Sequence, residues 1–450
     1  MKSKRLRNIF ISIVFLIIMI TGALSEKSFS EADLVFAASE EEKADIRAVK
    51  EITGLEGIIE QDRPVIRIAS WYQEYDLANL QAYLARQFPE YTFEYVYIDK
   101  SNYEPIIDAQ LSYKGAPDII FMDQEMVEKH ARTRYIANVT DITTGFTEEA
   151  KRSFDYGNAI YAVPNTSQFE CIYYNKDLFR EKGVIVPYSF DTFIGSCDNL
   201  RIVKKIKPLA VSLKNPYALS NSALALVSAD YFCTDRGSGF GGRLQYGRTT
   251  FTEEFEPFLD EWEVLIEHKV FTKEMYTVDN LTALEEFASG KAAMIVGGPE
   301  TYNAIIRMRP DMNMGTLPFY GKRGRLKAMI GGCDVGLALN VNSPNYNEAK
   351  KVLTSLSTPA GQYALWQDRP GSQTYLKYTQ FENSDVYAGL TECREQGLIY
   401  SPWMDWGSDL NGPIHYQLGK ELQKVILGKQ TTDQALEKVD KRVNEILRPQ

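Results

Sequence analysis

The segment "AIYAVPNTSQFECIYYNKDLF" (Ala159–Phe179) decides how the rest of the chain is read. Two short β-rich runs flank Pro164-Asn165-Thr166-Ser167, so the chain makes strand, irregular link and strand with no helix between. Upstream the pattern is regular. "RPVIRIAS" (Arg63–Ser70) is an apolar run led by Pro64 and reads as a first buried strand. Asp76 stands where it would cap a helix carrying Leu77, Leu80, Leu84 and Phe88 at helical spacing. "YTFEYVYI" (Tyr91–Ile98) alternates as a strand, a helix is expected around Tyr103–Tyr113, and "GAPDIIFMD" (Gly115–Asp123) is a third strand. This alternation predicts a parallel sheet covered by helices. A barrel would repeat the unit about eight times, and here the repeat turns irregular after Phe179.

Downstream, "PLAVSL" (Pro208–Leu213) is strand-like and Arg236–Gly247 is a glycine-rich loop. "TFTEEFEPFLDEWEVLIEH" (Thr250–His268) is an amphipathic helix with Phe255, Phe258, Leu259, Trp262, Leu265 and Ile266 on one face. "FASGKAAMIVGGPE" (Phe287–Glu300) reads as a helix end, a buried strand over Ala292–Val296, and a turn at Gly297-Gly298 needing positive φ. "MNMGTLPF" and "GGCDVGLALN" are strands, Pro344–Trp366 is a pair of helices, and Thr431 with Gln434 forms a capping box on the last helix. Trp262 and Trp366 lie on apolar helix faces and are read as core.

A chain of 450 residues is too long for one ordinary core, so two lobes are expected. The net charge of -10 argues against a nucleic-acid surface. Lys2, Lys4, Arg5 and Arg7 precede an apolar run from Ile9 to Ile20 and then small residues, the pattern of a secretory signal. The expected signal covers 1–25, or extends to about 38 if cleavage follows Ala37-Ala38; residues 26–63 are a leader and linker. The run is shorter than the roughly 20 residues that span a bilayer, and no cysteine follows it to carry a lipid. Export to a bacterial cell surface is expected, with an uncleaved anchor as the minority alternative. Cys171, Cys197, Cys233, Cys333 and Cys393 form no CxxC pair and read as mostly buried free thiols.

Catalytic and cofactor motifs fail on context. His130, His268 and His415 lie in no metal-ligand spacing. Gly237, Gly239 and Gly242 match a dinucleotide spacing by letter, but no buried strand precedes them. No nucleophile elbow is present. No metal, cofactor or catalytic residue is therefore expected, and a secreted glycan-active hydrolase with paired carboxylates is the enzymatic rival. Aromatic and polar residues instead collect at segment ends: "SWYQEYD" (Ser70–Asp76), "MDQE" (Met122–Glu125), "NTSQFE" (Asn165–Glu170), "GGPETY" (Gly297–Tyr302) and "SPWMDWGSD" (Ser401–Asp409). In open α/β sheets ligands sit beyond the strand ends, and rings beside fixed carboxylates and amides suit a polyhydroxylated ligand.

In their order, "GAPDIIFMD", "IYAVPNTSQFECIYYNKDLF", "FASGKAAMIVGGPE" and "GGCDVGLALNVNSPNYNEAKKVLTSLSTPAGQ" give a chain that resembles the extracellular solute-binding proteins of bacterial ABC importers, in the sugar-binding family that includes maltodextrin binders. The resemblance runs from about Pro64 to Leu447. It implies an α/β periplasmic-binding-protein-like fold of two discontinuous lobes, 64–168 with 319–378 and 169–318 with 379–450. Hinge crossings fall near Gln168–Cys171, Leu317–Met329 and Tyr375–Leu390. It further implies a monomer that closes on a mono- or oligosaccharide between the lobes and delivers it to ABC permease subunits. The ligand candidates on this basis are Trp71, Tyr72, Glu74, Asp123, Gln168, Glu170, Gly298, Glu300, Tyr302, Asp334, Trp403 and Trp406. Asp123 is equally a helix cap. Glu300 departs from the family, which places a ring after this Gly-Pro. A ligand-presenting partner of a membrane sensor would share the same fold and cleft.

Overall fold

The computed structural model describes residues 63–322 and 327–448; the expected signal and leader lie outside the described residues. Among the described residues fourteen strands run in chain order: β1 Val65–Ser70, β2 Thr92–Tyr97, β3 Ile119–Asp123, β4 Asp155–Tyr156, β5 Ala159–Ile160, β6 Val163–Pro164, β7 Gln168–Asn175, β8 Lys207–Ala210, β9 Ala292–Gly297, β10 Met314–Leu317, β11 Phe319–Tyr320, β12 Lys327–Gly332, β13 Val335–Leu339 and β14 Ile399–Tyr400. The first sheet has the order β2-β1-β3-β13-β6, and the second has β11-β12-β7-β9-β8 with β10 beside β7 and β14 beside β12. β1 pairs in parallel with β2 and β3, as the helical connections between them require.

Each sheet has its own core, so the described chain is two-lobed. Ile66, Ile68, Ile119, Phe121, Leu337 and Leu353 belong to the first. The second sheet is covered on both faces, by a large cluster around Leu209, Phe255, Trp262 and Leu418 and by a smaller one around Phe169, Tyr173 and Phe287. Thr250 caps its long helix, Phe251–Glu267, with the reciprocal Glu253 bond. The last helix, Thr432–Leu447, uses the expected Thr431–Gln434 box and buries Leu436, Val439 and Val443.

Four local expectations change. Strands β11 and β12 join the second sheet, not the first lobe: β12 pairs with β7, and Phe319 and Ile330 fill the second core. The return crossing therefore falls at Cys333–Asp334 rather than Leu317–Met329. Asp76 does not cap the helix Ala78–Gln87, because a 3-10 turn over Glu74–Leu77 intervenes. The distant Asp368 carboxylate takes that role, accepting from the backbone of Asn79 and Leu80 at 2.8 and 2.9 Å. Trp366 is only partly buried, with Nε1 donating to the Ser372 carbonyl at 2.9 Å. The glycine-rich segment forms a short helix, Phe240–Gln245.

All five cysteines are free thiols, and only Cys233 is not fully buried. Burial pushes its thiol up to about 11, so little reactive thiolate exists at neutral pH. A thiol-specific reagent should label native protein at Cys233 alone and slowly, and all five cysteines after denaturation. Reductant should leave the melting temperature unchanged.

Candidate functional site

The chain passes between the sheets at the β6–β7 link and at Cys333–Asp334, and these two passages lie side by side. The link between β6 and β7 is held at both ends: Asn165 N–H donates to Val335 O at 3.0 Å and Ser167 N–H to Gln373 O at 2.9 Å. Gln168 on β7 is in register with Gly332 on β12, just before the Cys333–Asp334 crossing. Alternation along β7 then separates the side chains. Phe169, Cys171 and Tyr173 enter the smaller cluster of the second lobe. Gln168 and Glu170 emerge on the other face: Gln168 Nε2 donates to the Tyr72 hydroxyl of the first lobe at 2.7 Å, and Glu170 meets Asn221 of the second.

Around this floor the first lobe supplies the ends of β1 and β3. The Lys100 ammonium lies 3.6 Å over the ring of Trp71, which itself packs edge-on to Tyr103 at 4.9 Å. Lys100 Nζ is also 2.9 Å from Asp123 Oδ2, while Asp123 Oδ1 accepts from Met126 N–H and caps the helix Gln124–Arg132. The cap reading of Asp123 holds, and the cap fixes its other carboxylate oxygen beside Lys100. Glu74 stands exposed in the 3-10 turn beyond β1. Tyr72 is buried, and the Arg369 guanidinium covers its ring at 4.6 Å.

The second lobe supplies carboxylates. Glu170 Oε1 accepts from Asn221 Nδ2 at 2.5 Å. Glu170 Oε2 and Asn221 Oδ1 are shielded from solvent and have no donor among the described residues. Burial raises the Glu170 carboxyl to about 7, helped by the Glu300 charge. Asp334, in the return crossing, is likewise raised to about 7, first by burial and then by the Asp123 charge. Glu300 in the first turn of the helix Pro299–Met308 pairs with Arg369 at 2.5 Å. That guanidinium is only 5% exposed against 44% for Glu300.

The glycine pair of this turn needs space, not an unusual φ. Gly298 has φ of -114°, and neither glycine is in the left-handed region. A Cβ on Gly298 would lie 2.5 Å from Phe169 O, and one on Gly297 would collide with the Thr301 side chain.

Two candidates leave the site. Trp406 is 0% exposed, packs edge-on to Phe251 at 5.3 Å and donates to the Tyr400 hydroxyl at 2.7 Å. It is a core residue with no face for a ligand. Tyr302 sits with Tyr173 and Tyr387, on the side of β7 away from Glu170. Trp403 stays at the floor, its Nε1 donating to the Cys333 carbonyl at 3.3 Å.

The sequence reading missed Lys100, Tyr217, Asn221, Arg369 and Asn411. "NPYALS" (Asn215–Ser220) carried the available signal, because it follows β8 and opens a helix with Pro216 at its first position. Tyr217 is 42% exposed, packs edge-on to His415 at 5.4 Å, and its hydroxyl is influenced by the Glu125 and Asp123 charges after burial. Arg369 carried no local signal in its loop.

Ties between the lobes flank the floor. On one side Glu125 Oε1 accepts from Asn411 Nδ2 at 3.1 Å and Gly412 N–H at 3.0 Å. On the other, Arg307 pairs with Asp76 at 2.8 Å beside the Arg369–Glu300 pair. Asn411 Oδ1 joins Glu170 Oε2 and Asn221 Oδ1 as a third shielded acceptor without a donor. Among the described residues no group of three or more His, Cys, Asp or Glu is placed to hold a metal. The arrangement can accept hydrogen bonds from a donor-rich ligand.

Two predictions follow from the charges. The ordinary carboxyl value is about 4 in an unfolded chain. Between about pH 4 and 7 the native state therefore holds protons on Glu170 and Asp334 that the unfolded state has released, and stability falls as pH rises through that window. Glu170→Gln and Asp334→Asn should each raise the melting temperature at pH 8 and change it little at pH 4.5. Glu300→Ala strands a buried guanidinium. With the partner half exposed, the loss should be about 1–3 kcal/mol in denaturant unfolding at neutral pH.

Residues 80–375 match the family described as bacterial extracellular solute-binding protein. The chain is 25% identical over 238 residues to the multiple sugar-binding protein of Streptococcus mutans, covering 52% of this chain and 55% of that protein. It is 24% identical over 300 residues to the melibiose/raffinose/stachyose-binding protein MelE of Bacillus subtilis, covering 64% of this chain and 67% of the other. The GacH receptor of Streptomyces glaucescens, solved unliganded and with acarbose, shares the fold with a TM-score of 0.69 at 19% identity, over 86% of this chain and 99% of that one. With two sheets joined at a common floor, and a match over residues 80–375, the chain belongs to the bacterial extracellular solute-binding proteins.

Proposed function

We propose that this protein is the substrate-binding component of an ABC importer and encloses an oligosaccharide between its lobes. The observation that carries this reading is the set of three shielded oxygens without donors, Glu170 Oε2, Asn221 Oδ1 and Asn411 Oδ1, in a floor that also presents Trp71 and Tyr217. Sugar hydroxyls supply the missing donors, and the rings cover C–H faces. Support comes from the relatives, whose names describe sugar-binding proteins. Asp123, Gln168, Glu170, Asp334 and Trp403 are retained from the sequence reading as contacts, with Tyr217 and Asn221 added; Glu74 lies at the exposed rim.

The mechanism is a shift between lobe arrangements. A saccharide that touches both lobes favours the closed state by its differential affinity, and the closed form is the one presented to the permease. No bond is made or broken. The basic head and apolar run at the N-terminus direct the chain out of the cell.

A thermal-shift screen of the mature chain against raffinose, stachyose, maltodextrins and non-sugar solutes tests this directly. A true ligand at about 100 times its Kd should add about 2.7 kcal/mol of stability. Asn221→Ala should weaken binding by about tenfold, the loss of one hydrogen bond to a buried carboxylate site. A shift by non-sugar solutes alone would overturn the carbohydrate assignment, and release of shorter saccharides would overturn the binding-only mechanism.

A further inference from the structure

Behind β7, on the side away from Glu170, lies a cavity of about 660 Å³. Its walls come from both lobes: Asn79 and Trp366 from the first, Tyr302 and Tyr387 from the second, and the intervening segment carrying Glu382 and Asp385. The polar floor of the cleft does not enter it, since none of Gln168, Glu170 or Asn221 lines it.

The lining has a definite chemistry. Three aromatic residues, Tyr302, Trp366 and Tyr387, stand beside two carboxylates, and among the described residues no lysine, arginine or histidine contributes to the wall. Neither Glu382 nor Asp385 has an ion-pair partner among the described residues. The nearest guanidiniums are engaged: Arg369 by Glu300, and Arg394 by the Gly371 carbonyl, with its Cζ 5.8 Å from the Tyr387 ring. Asn383 Oδ1, also in the wall, is shielded from solvent and accepts no hydrogen bond from any described residue.

Rings and uncompensated carboxylates attract a cation, and a shielded acceptor requires a donor. A quaternary ammonium meets the first condition only, and a neutral sugar the second only. We propose that this cavity is a second binding site, distinct from the cleft, for a small organic compound bearing a primary ammonium group. The ammonium donates to Asn383 Oδ1 and lies between the carboxylates of Glu382 and Asp385, with its carbon chain along the rings. Because the walls belong to both lobes, occupancy and lobe arrangement depend on one another.

Calorimetric titration of the mature chain with putrescine, against the neutral diol of the same chain length, tests the assignment. Putrescine should bind, more weakly as salt is raised, and the diol should not. The double variant E382Q/D385N removes two exposed charge partners, so its affinity should fall about tenfold. The variant E90Q/E181Q removes two exposed carboxylates elsewhere and should leave affinity unchanged, which separates this site from the general attraction of an acidic protein. Absence of binding at millimolar putrescine, equal binding of the diol, or full affinity in E382Q/D385N would each overturn the proposal.

Discussion

The antiparallel pairing of β7 with β12 is the constraint on which the rest of the structure depends. Gln168 faces Gly332 at the point where both strands leave the second sheet for the first. The approach is close: a Cβ on Gly331 would fall 2.6 Å from Gln168 O, and one on Gly332 would collide with Ser401 Oγ. Gly332 also has φ of +134°, which an L side chain resists. Two glycines therefore let the connections run together, and the residues beside them, Gln168, Glu170 and Asp334, become the floor between the lobes. A chain that crossed at separated points would scatter those same residues.

The floor is rich in carboxylates, and this shapes what it can hold. Asp123, Glu125, Glu170, Glu300 and Asp334 gather near Lys100 and Arg369, with Arg307 beyond them on Asp76. Both cations also lie over rings, Lys100 over Trp71 and Arg369 over Tyr72. Glu300 explains the second of these. Where relatives are expected to offer a ring, this chain offers a carboxylate, and the carboxylate holds a guanidinium across the lobes and over Tyr72. Tyr217, on the helix that also carries Asn221, presents a partly exposed ring under the charges of Glu125 and Asp123. Acceptors outnumber donors here, which favours hydroxyl-bearing ligands over anionic ones.

Much of this was legible in the sequence, for a physical reason. Strands β1, β2, β3, β7 and β9 announce themselves because burial on a sheet demands apolar runs of limited length, and the capped helices at Thr250 and Thr431 because local hydrogen bonds need particular residues at fixed offsets. The rule that ligands gather beyond strand ends singled out Trp71, Asp123, Gln168 and Glu170, which the fold brings to one floor. It failed where contacts join distant segments. Asp368 caps a helix nearly three hundred residues away, and Arg369 reaches Tyr72 and Glu300 from a loop without local pattern. Trp406 and Trp366 exchanged roles for the same reason: whether an indole is enclosed depends on its tertiary neighbours, Phe251 and Tyr400 for one, an open cavity for the other. The glycine pair at 297–298 was located correctly but explained wrongly, because sequence shows that glycine is needed and not whether φ or space requires it.

On the proposed function, an intact saccharide is held on the floor formed by the β7–β12 crossing. A crystal structure of the mature chain with the oligosaccharide that stabilises it most tests this directly. Unbroken sugar density between the lobes is expected, with hydroxyls donating to Glu170 Oε2 and Asn221 Oδ1 and a ring face on Tyr217 or Trp71. Density for a cleaved sugar, or for a sugar bound outside this floor with Glu170 and Asn221 untouched, would contradict it.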